Sequence, residues 1–566
     1  MIRDARQLLP DAEIECDVCI VGSGAAGITC AIELGRAGLD VILLEAGGHR
    51  FSKKDQRNYR GAVVDPDHHG ALDMYRHRRL GGTTCVWGGR CAPFDELDFQ
   101  SRSYVPFSGW PVDAAQMHPF YERAHAYCDL GEYDYSTAGD AVLRKGELVP
   151  GFRADDVLTD QIWRFSMPTD FGKRYGDELT KSSNVTAYLH ANALQLFSSE
   201  TGECVRALEC ASVPGRKFQV RANDFILASG GLEVARLLLL SKAVHSNGIG
   251  NDRDLVGRFY GSHITGNCGD IQLAPGVRPI WDYERTQEGI YSRRTFRVNP
   301  DMQEREGLLN SRFILSHPLP ADPSHGNSIL SSMYLVKRLI GSRVPPEYSK
   351  AISAMQPLRH VYAHASNVIC GVPSLAAFTA TWLQKRALAE RKLPSVSIFS
   401  KSNTYTLHFD GEQAPNRESR ITLCDQLDDF GMSQLRVDWR YQPIDTRSIA
   451  RSCEIIVDSL AAAGKAKALF RVEDLQARIS ENCAVGSHHI GTTRMADSPA
   501  KGVVDENCRV FGVSNLHIAS SSTFATAGFA NPTLTIVAFA VRLANHIREA
   551  RMRSGSGLQR ELMYVG

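Results

Sequence analysis

Along the first fifty residues the spacing of apolar positions changes twice. Cys16 to Val21 (Cys-Asp-Val-Cys-Ile-Val) is a short, nearly continuous apolar run, which predicts a buried strand. Beyond Gly22 the apolar positions take helical spacing through Ile28, Ala31, Ile32 and Leu34, and Gly38 ends that helix. Val41 to Leu44 is again continuous and finishes at Glu45, a second strand. Strand, glycine turn and helix recur at Phe225–Ala228, Ser229-Gly230-Gly231 and Glu233–Leu240. Alternation from Asn184 to Phe197 predicts paired strands. From about His263 to Lys465 the texture shifts to short alternating segments and longer polar loops. Within it, the basic residues of a helix-rich stretch near Ile329 to Lys392 read as a solvated face. Near Gln476 the first texture returns, and a strongly apolar helical pattern follows Asn531. The pattern predicts an α/β chain in which one discontinuous domain (1–95, 186–260 and 476–566) holds a second (96–185 and 261–475) as insertions.

The first turn, Gly22-Ser-Gly-Ala-Ala-Gly27, sits in a complete βαβ unit of about thirty residues, so a Rossmann-like dinucleotide site rests on context as well as on three glycines. Gly22 permits the tight turn, Gly24 lets backbone approach a pyrophosphate, and Gly27 lets helix and strand pack closely. The helix N-terminus, with Ala25 and Ala26, favours phosphate charge. Glu45, followed by Ala46, is placed to accept hydrogen bonds from the adenosine ribose and disfavours a 2′-phosphate. A second glycine-dense segment runs from Gly81-Gly82-Thr83-Thr84 through Trp87-Gly88-Gly89, where backbone can lie flat against a planar ligand.

Composition narrows the class. The 566 residues are 43% apolar and 22% charged, as in a globular protein, and imply two domains. A formal charge of +1 gives no electrostatic case for nucleic acid or an anionic membrane as partner. No window reaches the roughly 18 apolar residues of a membrane span; Leu534 to Ala544 is short and carries Arg542. Met1 to Glu15 lacks the apolar stretch of a secretory signal, which makes a cytoplasmic location the default expectation. The 14 cysteines are scattered as expected for buried free thiols, and Cys16 and Cys19 fall on opposite faces of a strand. No metal site and no iron–sulfur cluster motif is evident.

The last ninety residues carry the chemistry. His488 opens His-x-x-Gly-Thr (Gly491, Thr492), followed by Arg494 and Met495, and Asn531-Pro532-Thr533 stands directly before the terminal helix. An imidazole and an amide brought together at a helix start suit removal of hydride from an alcohol carbon. Read alone, Asn531 before Pro532 is also an ordinary helix N-cap. His489 reads as structural, and His68-His69 as solvated.

Together these residues resemble the glucose–methanol–choline (GMC) oxidoreductases. The resemblance runs nearly end to end through the N-terminal βαβ unit, Gly81-Gly82, Gly230-Gly231, Leu255-Val256-Gly257-Arg258, Val503-Val504-Asp505, Asn515-Leu516 and Asn531-Pro532-Thr533. It implies an FAD-binding domain with an α+β substrate domain built on an antiparallel sheet, and oxidation of an alcohol to a carbonyl by hydride transfer to flavin N5. The His488/Asn531 pairing resembles the pyranose-oxidase side of the family. Val86 before Trp87, where some pyranose oxidases bond flavin covalently through histidine, implies dissociable FAD. Ser520 stands where an Asp is common. The block Glu412-Gln413-Ala414-Pro415-Asn416, with Glu418, Ser419 and Arg420, resembles bacterial sugar and polyol dehydrogenases.

By this reading His488 is the general base and Asn531 the donor to the substrate oxygen. FAD contacts are expected from Gly22, Gly24, Ala25, Ala26, Gly27, Glu45, Ala46, Gly81, Gly82, Thr83, Trp87, Gly88, Gly89, Ala193, Gly230, Ala519, Ser520, Asn531, Pro532 and Thr533. The expected substrate is a secondary hydroxyl of a sugar or glycoside, with oxygen or a redox carrier as acceptor. A homo-oligomer or a small partner subunit stays open, as do a non-sugar alcohol and a non-redox lyase reaction on the same fold.

Overall fold

The computed structural model describes residues 1–340, 358–482 and 484–564. The strand Ala12–Val21, the helix Ala25–Arg36 and the strand Val41–Glu45 form the expected βαβ unit, with the two strands in parallel register from Val18↔Val41 to Val21↔Leu44. Every residue of Val41–Glu45 is buried, which is why the run reads as continuously apolar. This unit is the centre of an eight-stranded sheet. On one flank lie Val185–Leu189 and then Ile2–Asp4; on the other lies Arg216–Leu227. That long strand pairs antiparallel with Val205–Val213, and its end pairs in parallel with Leu516–Ile518.

Val185–Leu189 and Asn192–Ser198 do not pair with each other. The first joins Val41–Glu45 and the second joins Val205–Val213, at opposite flanks of the sheet. Between them His190 takes a positive φ of 57°, and the Ala191 N–H bonds the Glu45 carbonyl at 2.8 Å. The break carries the chain across the sheet end, so alternation alone assigned the wrong partners.

Helix Ala25–Arg36 buries nine of its residues, and the C-terminal helix Pro532–Tyr564 packs on it, with the Cys30 thiol against the Ala540 carbonyl at 3.5 Å. A second, antiparallel sheet has the order Ser311–Ser316, Thr404–Gly411, Ile264–Leu273 and Ala466–Ala468. A third joins Glu284–Arg285, Tyr291–Arg294, Ile162–Phe165 and Arg90–Cys91, also antiparallel. Cysteines among the described residues are free thiols, mostly buried; Cys483 lies outside those residues. Part of the basic stretch, 341–357, lies outside them too.

Candidate active site

Three backbone segments meet at the N-terminus of Ala25–Arg36. The Gly22 N–H bonds the Leu44 carbonyl at 2.8 Å, and the Gly81 N–H bonds the Ser23 carbonyl at 3.0 Å. Glu45 receives the Ser23 hydroxyl at 2.5 Å and the Gly47 N–H at 2.8 Å. Gly22 has φ +106°, and a Cβ there would lie 2.6 Å from the Ala228 carbonyl oxygen, so this turn admits no side chain. A Cβ on Gly27 would strike the Gly22 oxygen at 1.8 Å. Gly24 is the contrast: nothing lies within 4 Å of a Cβ placed on it, although it opens a buried helix with no side-chain cap. The Ser229 hydroxyl is likewise buried without a partner. A space bordered by glycine, a helix N-terminus and a carboxylate fits the pyrophosphate and ribose of an adenine dinucleotide.

The remaining expected contacts cluster nearby or extend from this place. Gly82–Cys85 forms one tight turn, with a Gly82 Cβ position 3.0 Å from Gly24 Cα. Trp87 donates to the Thr169 carbonyl at 2.9 Å, Gly88 and Val86 are exposed, and Gly89 is buried. Ala193 sits in the flanking strand opposite Cys210. The Ala519 N–H bonds the Leu227 carbonyl at 2.9 Å, and the Ser520 hydroxyl accepts the Ser522 N–H at 3.2 Å. Thr492 donates to the Gly231 carbonyl at 2.5 Å, tying the His488 segment to the second glycine turn.

His488 and Asn531 come together as expected: the amide nitrogen lies 3.2 Å from His488 Nε2. What the sequence did not announce is the chain of groups on either side. His488 Nδ1 lies 2.8 Å from His263 Nδ1, with the rings perpendicular, and His263 Nε2 lies 3.1 Å from the Ala527 carbonyl oxygen. On the far side, Arg90 Nε donates to Asn531 Oδ1 at 2.6 Å, and its two terminal nitrogens each meet Asp410 at 2.8 Å. The guanidinium lies 4.3 Å from the centre of the Trp163 ring. Asn531 thus spends its side chain on Arg90 and His488, which replaces the simple N-cap reading.

These contacts fix the protons. A carbonyl only accepts, so His263 carries its hydrogen on Nε2. Burial holds His263 at about 4, so at neutral pH its Nδ1 is a lone pair. His488 must then donate from Nδ1, which leaves His488 Nε2 unprotonated. Arg90 only donates, so the Asn531 atom facing it is oxygen and the atom facing His488 is the NH2 group. Burial, then the neighbouring His263 and Arg90, hold His488 well below the ordinary histidine range, against the pull of Asp410. Asp410 falls to about 2: burial alone would raise it, but Arg90 and His408 outweigh that. The result is an unprotonated imidazole nitrogen beside an amide N–H, a fork able to take a hydroxyl proton and hold the oxygen left behind.

His69 is not solvated. It is buried, with Nδ1 on the Gly70 carbonyl at 2.8 Å and Nε2 on the Tyr260 hydroxyl at 2.7 Å, and Tyr260 meets His489 Nδ1 at 2.8 Å. His489 therefore braces the segment that carries His488, as the structural reading expected. Glu412 and Gln413 also brace the fold. Glu412 is fully buried against Arg102 at 2.8 and 2.5 Å, and Gln413 receives the Ser262 N–H at 3.0 Å and the Trp439 indole at 2.8 Å. Among the described residues no cluster of ligands suits a metal.

The FAD binding domain description matches residues 17–53, and the GMC oxidoreductase description matches residues 415–540. The chain is 24% identical over 592 residues to 6'''-hydroxyparomomycin C oxidase of Streptomyces lividus, covering 94% of this chain and 92% of that protein. It is 32% identical over 136 residues to the C-glycoside 3-oxidase of Arthrobacter globiformis, covering 24% of this chain and 25% of that one. A fungal aryl-alcohol oxidase structure shares the fold, with a TM-score of 0.53 at 13% identity over 96% of this chain and 100% of that one. With a GMC oxidoreductase match over residues 415–540 and an FAD-binding match at its N-terminus, the chain is an FAD-dependent oxidoreductase acting on CH–OH donors.

Proposed function

We propose that the chain oxidises a secondary hydroxyl of a sugar or glycoside to a carbonyl, with His488 as general base. The observation that carries the mechanism is His488 Nε2 facing the Asn531 amide nitrogen at 3.2 Å. A hydroxyl entering that fork donates its proton to Nε2 and accepts from Asn531, which steadies the negative charge growing on oxygen. The Arg90 cation on the amide oxygen polarises Asn531 and strengthens its N–H as a donor. Asp410 aims Arg90 through two parallel bonds, so Arg90 and Asp410 are positioning residues. FAD, held non-covalently, would supply the acceptor for the hydride of the carbinol carbon. The turn Gly22–Gly27, Glu45 and Gly81-Gly82 are the groups that would hold its adenosine and pyrophosphate.

A hydroxyl-rich substrate is supported by the strand that bears Asp410. Alternation along Thr404–Gly411 puts Thr406, His408 and Asp410 on one face, and their cross-strand partners include Asn267 and Thr265. His408 bonds Asn267 at 3.0 Å and Thr265 at 3.1 Å, giving a row of donors and acceptors beside Arg90. Relatives named for oxidising hydroxyparomomycin C and a C-glycoside point the same way. The test is anaerobic bleaching of the bound flavin by a panel of monosaccharides, glycosides and apolar alcohols. Rapid reduction by glycosides with ketone formation at a ring carbon is expected; reduction by apolar alcohols alone would overturn the sugar assignment. Colour that persists while product accumulates would indicate the lyase reading instead.

A further inference from the structure

The helices Ser328–Ile340 and Leu358–Cys370 lie against each other, with Tyr334 stacked on His364 at 4.2 Å and Ser331 meeting His364 Nδ1 at 3.0 Å. At Gly371 the chain bends by 76° and continues as Val372–Leu388. This second limb buries none of its residues. Yet its sequence, Val-Pro-Ser-Leu-Ala-Ala-Phe-Thr-Ala-Thr-Trp-Leu-Gln-Lys-Arg-Ala-Leu, is mostly apolar: Leu375 and Phe378 are half-buried, while Val372 is 54% exposed, Leu383 46% and Leu388 83%. That exposed apolar side lacks a partner among the described residues. The exposure extends to its neighbours: Leu339 is 87% exposed, Tyr362 74% and Ile369 73%.

The charge of this region says what the partner is. Across residues 328–339 and 359–393 there are seven Lys or Arg and a single acid, Glu390, although the whole chain carries only +1. Lys385, Lys392 and Arg359 are exposed beside the apolar limb. We propose that this bent limb is a lipid-docking element that seats the enzyme on an anionic bilayer surface, its apolar side chains among the acyl chains and its cations on the headgroups. The limb lies on the bilayer rather than crossing it, because no single helix among the described residues is long and apolar enough to span. A symmetric contact between two copies is the poorer fit, since it would bring the seven cations of one copy against those of the other.

The limb is rooted beside the candidate site. Arg391 donates to the carbonyls of Phe165 at 3.1 Å and Asp129 at 3.0 Å, and the Lys392 N–H bonds the Met167 carbonyl at 3.1 Å. Phe165 ends the strand Ile162–Phe165, whose Trp163 underlies Arg90. The strand that steadies the fork therefore also holds the root of the docking limb.

The test is flotation of the full-length, FAD-loaded protein with vesicles of phosphatidylcholine alone or mixed with phosphatidylglycerol. Wild type should float with the mixed vesicles at low salt, stay behind with phosphatidylcholine alone, and release as salt rises. Two double variants, Leu383→Asp with Leu388→Asp and Lys385→Glu with Lys392→Glu, should each lower the floating fraction about tenfold or more. Because these side chains are exposed, flavin absorbance and melting temperature should be unchanged, which separates loss of docking from loss of fold. Absence of flotation by wild type overturns the proposal, as does flotation that ignores both variants. A wild-type dimer that Leu383→Asp with Leu388→Asp converts to monomer would overturn it in favour of a contact between copies.

Discussion

Replacing Arg90 with lysine keeps the charge but removes the planar fork. In the structure one guanidinium serves two directions at once: Asp410 through two bonds of 2.8 Å, and Asn531 Oδ1 through Nε at 2.6 Å. A lysine ammonium at the end of one flexible stem cannot reproduce that geometry. The contact at risk is a charge-assisted hydrogen bond, worth about 1.5–3 kcal/mol. Because this bond decides which way the amide faces, its loss falls on the donor to the substrate oxygen. At about 1.4 kcal/mol per decade of rate, flavin reduction should slow by roughly ten- to a hundredfold. Anaerobic stopped-flow at saturating substrate measures that step directly. A second variant, Arg90→Gln, separates geometry from charge. The Arg90 cation is one of the influences that hold His488 low, behind burial and His263, and Asp410 pulls the other way. Removing the cation raises the pKa of His488, so the rate is lost at a higher pH as the base becomes protonated. The acid limb of the pH–rate profile should move upward in Arg90→Gln and stay in place in Arg90→Lys. A lysine variant that reduces flavin at the wild-type rate, or a glutamine variant with an unmoved acid limb, would refute the reasoning.

Two further outcomes follow from burial and space. His263, His488 and His489 are kept neutral when folded, chiefly by burial, with His263 at about 4. The unfolded chain takes up protons at each as pH falls below about 6.5. The contribution of these histidines should therefore be constant above that pH and decline below it, approaching about 1.4 kcal/mol per pH unit for each; a urea midpoint constant between pH 7 and 5, measured without flavin, would contradict this. Gly24→Ala places a methyl where the protein itself has nothing within 4 Å. It should cost the apoprotein about 1 kcal/mol or less while weakening FAD binding by tenfold or more. Fluorescence titration of apoprotein with FAD checks the second, and unchanged affinity would place the pyrophosphate elsewhere.

Much of the fold was legible because its strongest signals are local. The βαβ unit announces itself by a change from continuous to helical apolar spacing around glycines that the turn requires. His488 and Asn531 were found through short motifs at a recognisable separation. The groups that prepare them were not, because each belongs to a segment that reads as ordinary structure. Arg90 directly follows Gly88-Gly89, where the glycines drew the reading. Asp410 lies in Thr404–Gly411, whose polar residues at 404, 406, 408 and 410 alternate with Tyr405, Leu407 and Phe409. That alternation marks a strand with one polar, partly buried face, but not what faces it. His263 is a single histidine at a strand start, and only the tertiary fold brings it to His488 across 225 positions. The strands Val185–Leu189 and Asn192–Ser198 failed for the related reason that alternation gives a residue's face and not its partner strand.

The measurement that tests the central claim most directly is the anaerobic rate of flavin reduction by the best glycoside in wild type and in His488→Ala. The account predicts a fall of about a hundredfold or more with FAD still bound, because the nitrogen proposed to take the hydroxyl proton is gone. A variant that bleaches its flavin at the wild-type rate would contradict it and move the base to another residue.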